Sequence, residues 1–363
     1  MNPSHKHIVF TVTNDLSYDR RMQRICKTLS QNGWRVTLIG RKLPSSIALT
    51  QQPYHQKRIK CFFNKGKLFY LEYNLRLFFT LLSIKAEIFS AVDLDTIIPI
   101  YYGSVVKRCK RVFDAHEYFE EVPEVTHRQV VKKIWQWVAH RYIVRFNSCY
   151  TVNESLAEIF TRQYKVSFNV IRNVPNLIVK QESTHKRHLL YQGALNEGRG
   201  LEALITAMQN IDIPLKIIGE GDLSLELRKL VKQLELNDKI EFLGFVEPEK
   251  LSQYTQASCI GFNLLEDVGL SYHYSLANKF FDYIQAEIPS ISMDLPEYRR
   301  INEQFEVSIL IESLSPQNIQ NAVEQLLRQQ DCYDRLKQQC AKAKLIFNWE
   351  IESAKLLRIY NEI

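Results

Sequence analysis

The chain has 363 residues, which is long for one hydrophobic core and suits two domains of roughly 150–200 residues each. Apolar residues make up 45% of it and charged residues 24%, as is ordinary for a globular protein. The net charge of +7 favours anionic ligands or an acidic membrane surface. It is too small and too scattered to indicate a nucleic-acid partner.

Cysteine usage and the N-terminal sequence bear on the compartment. Seven cysteines lie at irregular spacings without a Cys-x-x-Cys pair, so we expect neither a disulfide framework nor a metal site. The first residues lack the apolar core of a signal peptide, and no stretch reaches the ~18 apolar residues of a membrane span. We therefore expect a cytoplasmic protein.

Strand and helix patterns alternate from the N-terminus, which predicts a parallel sheet with ligands at the C-terminal ends of its strands. The loop after the first strand has no glycine and hence no dinucleotide fingerprint. Its polar side chains suit hydroxyl recognition, and we predict that Asn14, Asp15 and Arg20 contact the hydroxyl groups of a ligand. Capping of the next helix by Asp19 is the alternative.

Residues 57–88 combine lysines and arginines with a helix rich in Phe, Leu and Tyr. A basic, aromatic, amphipathic segment of this kind can lie on an anionic membrane surface. In the alternative interpretation the helix packs onto the sheet and its basic end is merely solvated.

Acidic and histidine residues follow two strands of this half. Asp93 and Asp95 come after one strand, and we interpret them as caps of the next helix rather than as ligands of a divalent cation. Another strand runs straight into His116 and Glu117, a position typical of a functional site. We predict that His116 donates to a substrate hydroxyl and that Glu117 takes a proton. A core histidine held by Asp114 is the alternative.

The strand–helix pattern restarts at residue 188. The predicted domains are residues 1–178 and 188–346, joined by a linker over 179–187 and followed by a helix in 347–363. Glycine-rich loops after strands of the second half predict a shared mouth for the phosphates and base of a ligand. Arg199 adds a fixed positive charge there. The loop residues assigned to ligand binding are Gly193, Gly219 and Gly221.

A helix predicted over residues 275–286, with Ser275 as its cap, has one apolar side. Its polar side carries Asn278, Lys279 and Asp282. The free N–H groups and dipole of its first turn attract phosphate, and a carboxylate one turn further on can accept hydrogen bonds from sugar hydroxyls. The alternative is a surface helix with an ion pair three residues apart.

These segments together resemble a GT-B glycosyltransferase of the large family 4 type over nearly the whole chain. The similarity is carried by YQGALNEGRGLEALITAM, IIGEGDL, IEFLGFVEPEKLSQYTQAS, SLANKFFDYIQAEIPSI and FNWEIESAKLLRIY, while VFDAHEYF is similar to an acceptor-side histidine loop. The resemblance implies an α/β fold of two tandem Rossmann-like, doubly wound domains facing a cleft. The first would bind the acceptor, the second a nucleotide-diphosphate sugar, and the last helix would cross back to the first domain.

The resemblance also implies residue roles. Arg199 stands at the position of a basic residue on the diphosphate, and Lys279 matches a phosphate-contacting lysine. Asp282 matches the acid that holds the ribose hydroxyls, and His116 a histidine near the donor sugar. Retention of anomeric configuration is implied too. Fixed cations and helix N–H groups can stabilise the departing diphosphate, so we expect neither a metal nor a cofactor beyond the donor.

Four positions depart from the family pattern. Many members have two glutamates where this chain has Tyr274 and Asp282. A second basic residue is replaced by Ala194, and the usual glycine before the next proline by Glu287. These changes can alter the donor sugar or abolish activity.

The resulting hypothesis is a retaining glycosyltransferase of cell-surface polysaccharide synthesis. Its partners would be a nucleotide-sugar donor, a glycan or lipid-linked acceptor and, through residues 57–88, the inner face of the cytoplasmic membrane. A nucleotide-sugar epimerase of the same fold is one alternative. A non-catalytic sugar- or nucleotide-binding protein is the other.

Overall fold

The structure is a computed structural model that describes residues 6–17, 19–179 and 188–363, with the backbone alone at 123–124 and 248–249. The chain divides into two compact units. The first comprises Met1–Arg172 and Ser353–Ile363, and the second Asn173–Glu352. This division falls a few residues before the predicted linker over 179–187. Apart from Val179, that linker lies outside the described residues.

The first unit is built on a parallel sheet. Its described residues form seven strands in the spatial order β3-β2-β1-β4-β5-β6-β7. The two central strands are buried along their whole length, which explains their continuous apolar sequences. The strands are β1 (His7–Thr11), β2 (Arg35–Lys42), β3 (His55–Lys60), β4 (Ile88–Val92), β5 (Lys110–Ala115), β6 (Ser148–Thr151) and β7 (Phe168–Val170).

Helices connect these strands. The helix that begins at Glu154 has a side-chain cap, because Asn153 accepts a hydrogen bond from the backbone N–H of Leu156 at 2.9 Å. The helices are α1 (Arg20–Gln31), α2 (Gly66–Leu82), α3 (Ile97–Lys107), α4 (Pro123–Thr126), α5 (Gln129–Tyr142) and α6 (Glu154–Tyr164).

The second unit repeats the arrangement with a parallel sheet. Its described residues give six strands in the order β10-β9-β8-β11-β12-β13, so both doubly wound sheets of the predicted α/β fold are present. Its strands are β8 (Leu189–Gln192), β9 (Leu215–Ile218), β10 (Ile240–Gly244), β11 (Ile260–Asn263), β12 (Ser290–Met293) and β13 (Ser308–Ile311). Its helices are α7 (Leu201–Ala207), α8 (Ser224–Gln233), α9 (Pro248–Gln256), α10 (Gly269–His273), α11 (Asn278–Gln285), α12 (Pro296–Gln304), α13 (Pro316–Arg328) and α14 (Gln330–Ala343).

The last helix, α15 (Trp349–Glu362), begins in the second unit and ends in the first. Tyr360 on its final turns is fully buried. Its ring lies edge-on to Phe10 at 5.8 Å and to Tyr150 at 6.5 Å between centroids, and its hydroxyl is 3.3 Å from that of Tyr150. Residues Ser353–Ile363 thus complete the core of the first unit.

The segment 57–88 differs in part from its prediction. Its basic start is the edge strand β3, and the helix begins only at Gly66. One stripe of α2, comprising Phe69, Tyr73, Leu77 and Leu81, is buried, so the helix does pack within the unit. A second stripe of Leu and Phe side chains remains exposed. Among the described residues, no helix is long and apolar enough to cross a membrane.

Candidate functional site

The glycine loops of the second unit lie against one another at the ends of β8 and β9. Gly219 has φ +133°, and a Cβ atom added there would be 1.9 Å from the carbonyl oxygen of Gly193. At Gly221 an added Cβ would be 2.2 Å from the Asn196 side-chain oxygen. Larger residues at either position would push the loops apart, so glycine is required by the close backbone approach.

Lys279, in the first turn of α11, points at this pair of loops. Its ammonium lies 3.9 Å from the centre of the Tyr191 ring, and an added Cβ at Gly193 would be 3.2 Å from it. Burial lowers the pKa of Lys279 well below its ordinary value, and the positive charge of Arg199 lowers it further. Within the described residues, Lys279 forms no ion pair.

Arg199 supplies the second cation of this site. Its guanidinium lies over the Tyr272 ring at 5.3 Å, and its Nε atom is buried without a hydrogen-bond partner among the described residues. Two cations that lie close together on aromatic faces, without a carboxylate ion-pair partner among the described residues, form a site for an anion. The arrangement is therefore suited to a phosphate or diphosphate group.

Asp282 lies one turn further along α11. Its carboxylate accepts a hydrogen bond of 2.8 Å from the amide of Gln192, and the Gln192 oxygen accepts one of 2.8 Å from the Thr255 hydroxyl. Gln192 and Thr255 are buried. Asn278, the first residue of the helix, is exposed. The structure thus brings the predicted loop glycines, Arg199, Lys279 and Asp282 into one region.

The predicted N-terminus of this helix was wrong by three residues. Ser275 is not its cap, because the Ser275 N–H donates to the Tyr272 carbonyl and so belongs to the turn that ends α10. The helix begins at Asn278, and Ala277 precedes it with no side-chain cap. The N–H of Ala277 donates to the Tyr298 hydroxyl at 2.9 Å, which fixes the start of α11.

The structure shows the contacts of three residues that depart from the family pattern, Glu287, Tyr274 and Ala194. Glu287 has φ +54°, a left-handed conformation that explains why glycine suits this position. Its carboxylate is 2.6 Å from the ammonium of Lys344, which holds the non-glycine residue in place. Tyr274 follows α10 and packs its ring edge-on at 4.7 Å from His273. The carbonyl of Ala194 accepts a hydrogen bond from the Tyr191 hydroxyl.

In the first unit, His116 lies between two carboxylates. Its Nε2 is 3.0 Å from Asp114, its Nδ1 is 3.8 Å from Asp93, and the Asp93 carboxylate accepts its backbone N–H at 2.8 Å. Asp114 is fully buried and also pairs with Arg21 at 3.0 Å. Asp114 does hold His116, as the alternative interpretation required. The His116 side chain is nevertheless 19% exposed, so it is not a core residue.

This cluster has unusual proton affinities. Burial disfavours the charged imidazole, but the carboxylates of Asp114 and Asp93 outweigh it and raise the pKa of His116 to about 9. Burial raises the pKa of Asp93 in turn. Glu117 is exposed and borders a small cavity with Asp93. The site therefore presents a protonated histidine, a hydrogen-bond donor, beside acidic groups.

The predicted capping role of Asp93 and Asp95 was wrong. Asp93, which has φ +57°, precedes a short 3-10 turn and does not cap it with its side chain. Its carboxylate accepts a hydrogen bond from the backbone N–H of His116 instead. The carboxylate of Asp95 accepts from the Thr13 hydroxyl. Burial raises the pKa of Asp95 to about 7. The strand order places β4 beside β1 and β5, which draws these aspartates to neighbouring loops.

The predicted acceptor loop is only partly available for ligand contacts. Asp15 is buried, and its carboxylate accepts hydrogen bonds from the Ser17 N–H at 2.9 Å, the Ser46 hydroxyl and Arg58. Burial opposes its charge, but these partners outweigh burial and lower its pKa. Asn14 and Arg20 are exposed. Asp19 caps α1 by accepting the Met22 N–H at 3.0 Å, which confirms that alternative.

Several residues of these sites escaped sequence reasoning. Arg21 carried a usable signal, because it is a charged residue on the buried face of α1 beside Met22 and Ile25. Gln192 also carried a usable signal, because it is a polar residue at the C-terminal end of β8, directly before the Gly193 loop. Tyr272 and Thr255 carry no local signal. All seven cysteines are free in this structure.

Comparisons with known proteins agree with this picture. The family model described as glycosyl transferases group 1 matches residues 175–343. The fold is similar to that of sucrose-phosphate synthase from Thermosynechococcus elongatus, with a TM-score of 0.82 and 16% identity over 99% of both chains. It is also similar to HepE of Anabaena, solved with UDP and glucose, with a TM-score of 0.80 and 14% identity over 99% of this chain and 100% of HepE.

A third similar structure is a glycosyltransferase from Rickettsia africae, with a TM-score of 0.76 and 12% identity over 99% of both chains. No curated protein matches the chain by sequence. The glycine loops, Arg199, Lys279 and Asp282 all lie within the segment that the family model matches. The chain has the GT-B fold, and the segment that matches the glycosyl transferases group 1 model lies within its second unit.

Proposed function

We propose that the chain is a retaining glycosyltransferase that moves a hexose from a nucleotide-diphosphate sugar to a glycan or lipid-linked acceptor. One observation carries the donor half of this proposal. Lys279 and Arg199 place two positive charges close enough that one lowers the pKa of the other, and neither forms an ion pair with a carboxylate in the described part of the chain. A bound diphosphate would relieve that repulsion.

The same cations serve the chemistry. Departure of the nucleotide places negative charge on the diphosphate, and fixed positive groups stabilise it without having to reorganise. The transfer is proposed to need no metal and no cofactor beyond the donor. Asp282 would accept hydrogen bonds from the ribose hydroxyls, with Gln192 setting its direction. Asn278 and the loop glycines Gly193, Gly219 and Gly221 would line the nucleotide.

The acceptor half of the proposal rests on the first unit. Asp114 and Asp93 raise the pKa of His116 to about 9, and His116 would donate to a sugar hydroxyl near the reacting carbon. Glu117, exposed at the same strand end, would take a proton during the transfer. Asn14 and Arg20 would contact the acceptor. Asp15 would order their loop through Arg58 and Ser46.

The biological setting belongs to the same proposal. HepE of Anabaena has been solved with UDP-glucose, and WaaB, another protein of similar fold, is a lipopolysaccharide outer core galactosyltransferase. Cell-surface polysaccharide synthesis on the inner face of the cytoplasmic membrane is the corresponding role here. The exposed apolar stripe of α2, beside Lys65 and Lys67, would provide the membrane contact.

An assay of sugar transfer to an added acceptor distinguishes a glycosyltransferase from a nucleotide-sugar epimerase. Wild-type protein is incubated with UDP-glucose and other nucleotide-sugars, with and without a lipid or glycan extract as acceptor, in the presence of EDTA. We expect acceptor-dependent release of UDP that is lost in Lys279→Ala and in Asp282→Ala. Conversion of the donor sugar without any acceptor would favour the epimerase instead. Binding of UDP-glucose without turnover under any condition would favour a non-catalytic binding protein.

A further inference from the structure

An apolar groove of about 490 Å³ runs along the surface of the first unit, a volume typical of small-molecule sites. Aliphatic and aromatic side chains from three helices form its walls. Four of them, Leu71, Leu75, Tyr102 and Val106, are solvent-exposed, although exposed apolar residues rarely gather in one place without a ligand or partner. The principal lining residues are Tyr70, Leu71 and Leu75 of α2, Tyr102 and Val106 of α3, and Trp135 of α5.

The groove is continuous with the candidate acceptor site. Leu94 and Asp95, in the turn that follows β4, line it as well. Leu94 also borders the small cavity that contains Asp93 and Glu117. The Asn74 amide, another groove residue, donates to the Asp95 carbonyl at 3.0 Å, which ties α2 to this turn. A molecule in the groove would therefore extend from an apolar surface to the carboxylates beside His116.

The charges around the groove point to the chemistry of its occupant. Within the bounds of α2, α3 and α5, lysine and arginine occur six times and an acidic residue once, at Glu72. Glu72 is itself paired with Arg76 at 2.8 Å. The helices that form the apolar walls thus carry a net positive charge, which suits a lipid phosphate. The carboxylates in the turn after β4 suit sugar hydroxyls.

We propose that this groove binds the hydrocarbon chain of a lipid-linked sugar, with its phosphate attracted by the net positive charge of these helices and its sugar beside Asp95 and His116. This inference rests on the proposed function, because it names the acceptor of that reaction. Binding of a single lipid chain in the groove differs from general adsorption of α2 to a membrane in the residues that it uses. Adsorption would use every exposed apolar residue of the helix, whereas a bound chain uses only those that line the groove.

One pair of variants isolates the groove. Leu75 and Leu68 are both leucines of α2 with similar exposure, 51% and 48%, but only Leu75 lines the groove. Binding of monomeric dodecyl phosphate is measured by calorimetry below its micelle-forming concentration, with ethyl phosphate as the chain-free comparison. We expect Leu75→Gln to weaken binding of dodecyl phosphate by about fivefold or more and Leu68→Gln to leave it nearly unchanged. Ethyl phosphate should not bind detectably.

Four results would overturn the inference. In the first the wild type does not bind dodecyl phosphate, and in the second both variants bind it equally well. In the third, both variants lose binding to phosphatidylglycerol vesicles equally and dodecyl phosphate does not bind, which would mean that α2 adsorbs to the membrane surface. A dimer in sedimentation that dissociates in Leu75→Gln would mean that a second copy covers the groove. UDP-glucose binding, measured on the same samples, reports separately on the proposed transferase function, because its site lies in the other unit.

Discussion

Gln192 donates a hydrogen bond of 2.8 Å to the Asp282 carboxylate, while its own oxygen accepts one of 2.8 Å from the Thr255 hydroxyl. A carboxylate can only accept hydrogen bonds, so the amide nitrogen faces Asp282 and the amide oxygen faces the Thr255 hydroxyl. Gln192 and Thr255 are buried and packed, which leaves the carboxylate one preferred direction. A buried amide thereby orients the acid proposed to hold the nucleotide.

Replacing Gln192 by Leu should weaken UDP binding by about tenfold, because Asp282 would lose the hydrogen bond that orients it. Isothermal titration calorimetry with UDP measures the effect. Gln233→Leu, a substitution at an exposed glutamine of α8, serves as the control and should leave the affinity unchanged. A folded Gln192→Leu protein with wild-type affinity would contradict the orienting role.

Replacing Lys279 by Met should separate binding from stability. UDP affinity is expected to fall by at least about tenfold, since a charged contact to phosphate is lost. The Tm of the ligand-free protein should rise, because burial and Arg199 lower the pKa of Lys279 and so disfavour its charged form in the folded state. A depressed lysine pKa costs stability at every pH below its unfolded value, so the difference in Tm should shrink as the pH approaches 10.5.

Differential scanning calorimetry and UDP titration of the same samples test this prediction. Lys342→Met, at an exposed position of α14, should change neither quantity. A lower Tm in Lys279→Met together with retained UDP binding would show that the lysine has a structural role instead.

Substituting Gly219 by Ala should destabilise the protein by about 2–4 kcal/mol, because the new Cβ would meet the Gly193 carbonyl oxygen at 1.9 Å. Gly33→Ala is the matched control: Gly33 also has a positive φ, of +85°, but an added Cβ there meets no atom within 4 Å. Its cost should be about 1 kcal/mol, from backbone conformation alone. Urea unfolding of both variants measures the difference. Equal losses would show that the close approach of the two loops does not matter.

The pH dependence of stability should contain a contribution from His116. Its folded-state pKa of about 9 lies above the ordinary value of 6.5, so the imidazolium stabilises the fold fully below about pH 6.5. That contribution is lost as the pH rises through about 9. We expect the wild-type Tm to fall over this window and the fall to be smaller in His116→Asn. Thermal unfolding at a series of pH values is the measurement.

His55→Asn, at an exposed position of β3, should keep the wild-type slope of Tm against pH. Nitrogen chemical shifts of the imidazole give the same pKa independently. A slope in His116→Asn equal to that of the wild type would mean that the neighbouring carboxylates do not hold the proton on this histidine.

Local sequence signals predicted the individual elements well. The strand–helix pattern that restarts at residue 188 begins with β8 at Leu189, and the predicted glycines Gly193 and Gly219 directly follow β8 and β9. Prediction failed where two short elements compete for the same residues. Ser275 has the chemistry of a helix cap, but the turn that ends α10 uses its backbone. The strand β3 was not predicted, because its basic sequence lies at a sheet edge and only Ile59 of it is buried.

The sequence by itself determined the two α/β sheets, the glycines at the strand ends and the placement of Lys279 and Asp282 on one polar face of a helix. These features depend on side-chain periodicity and on turn residues, which act over a few positions. Only the tertiary structure decided that Gln192 orients Asp282, that Asp93 faces His116 rather than a helix end, and that three helices enclose an apolar groove. Such contacts depend on the spatial order of the strands, which joins residues far apart in the chain.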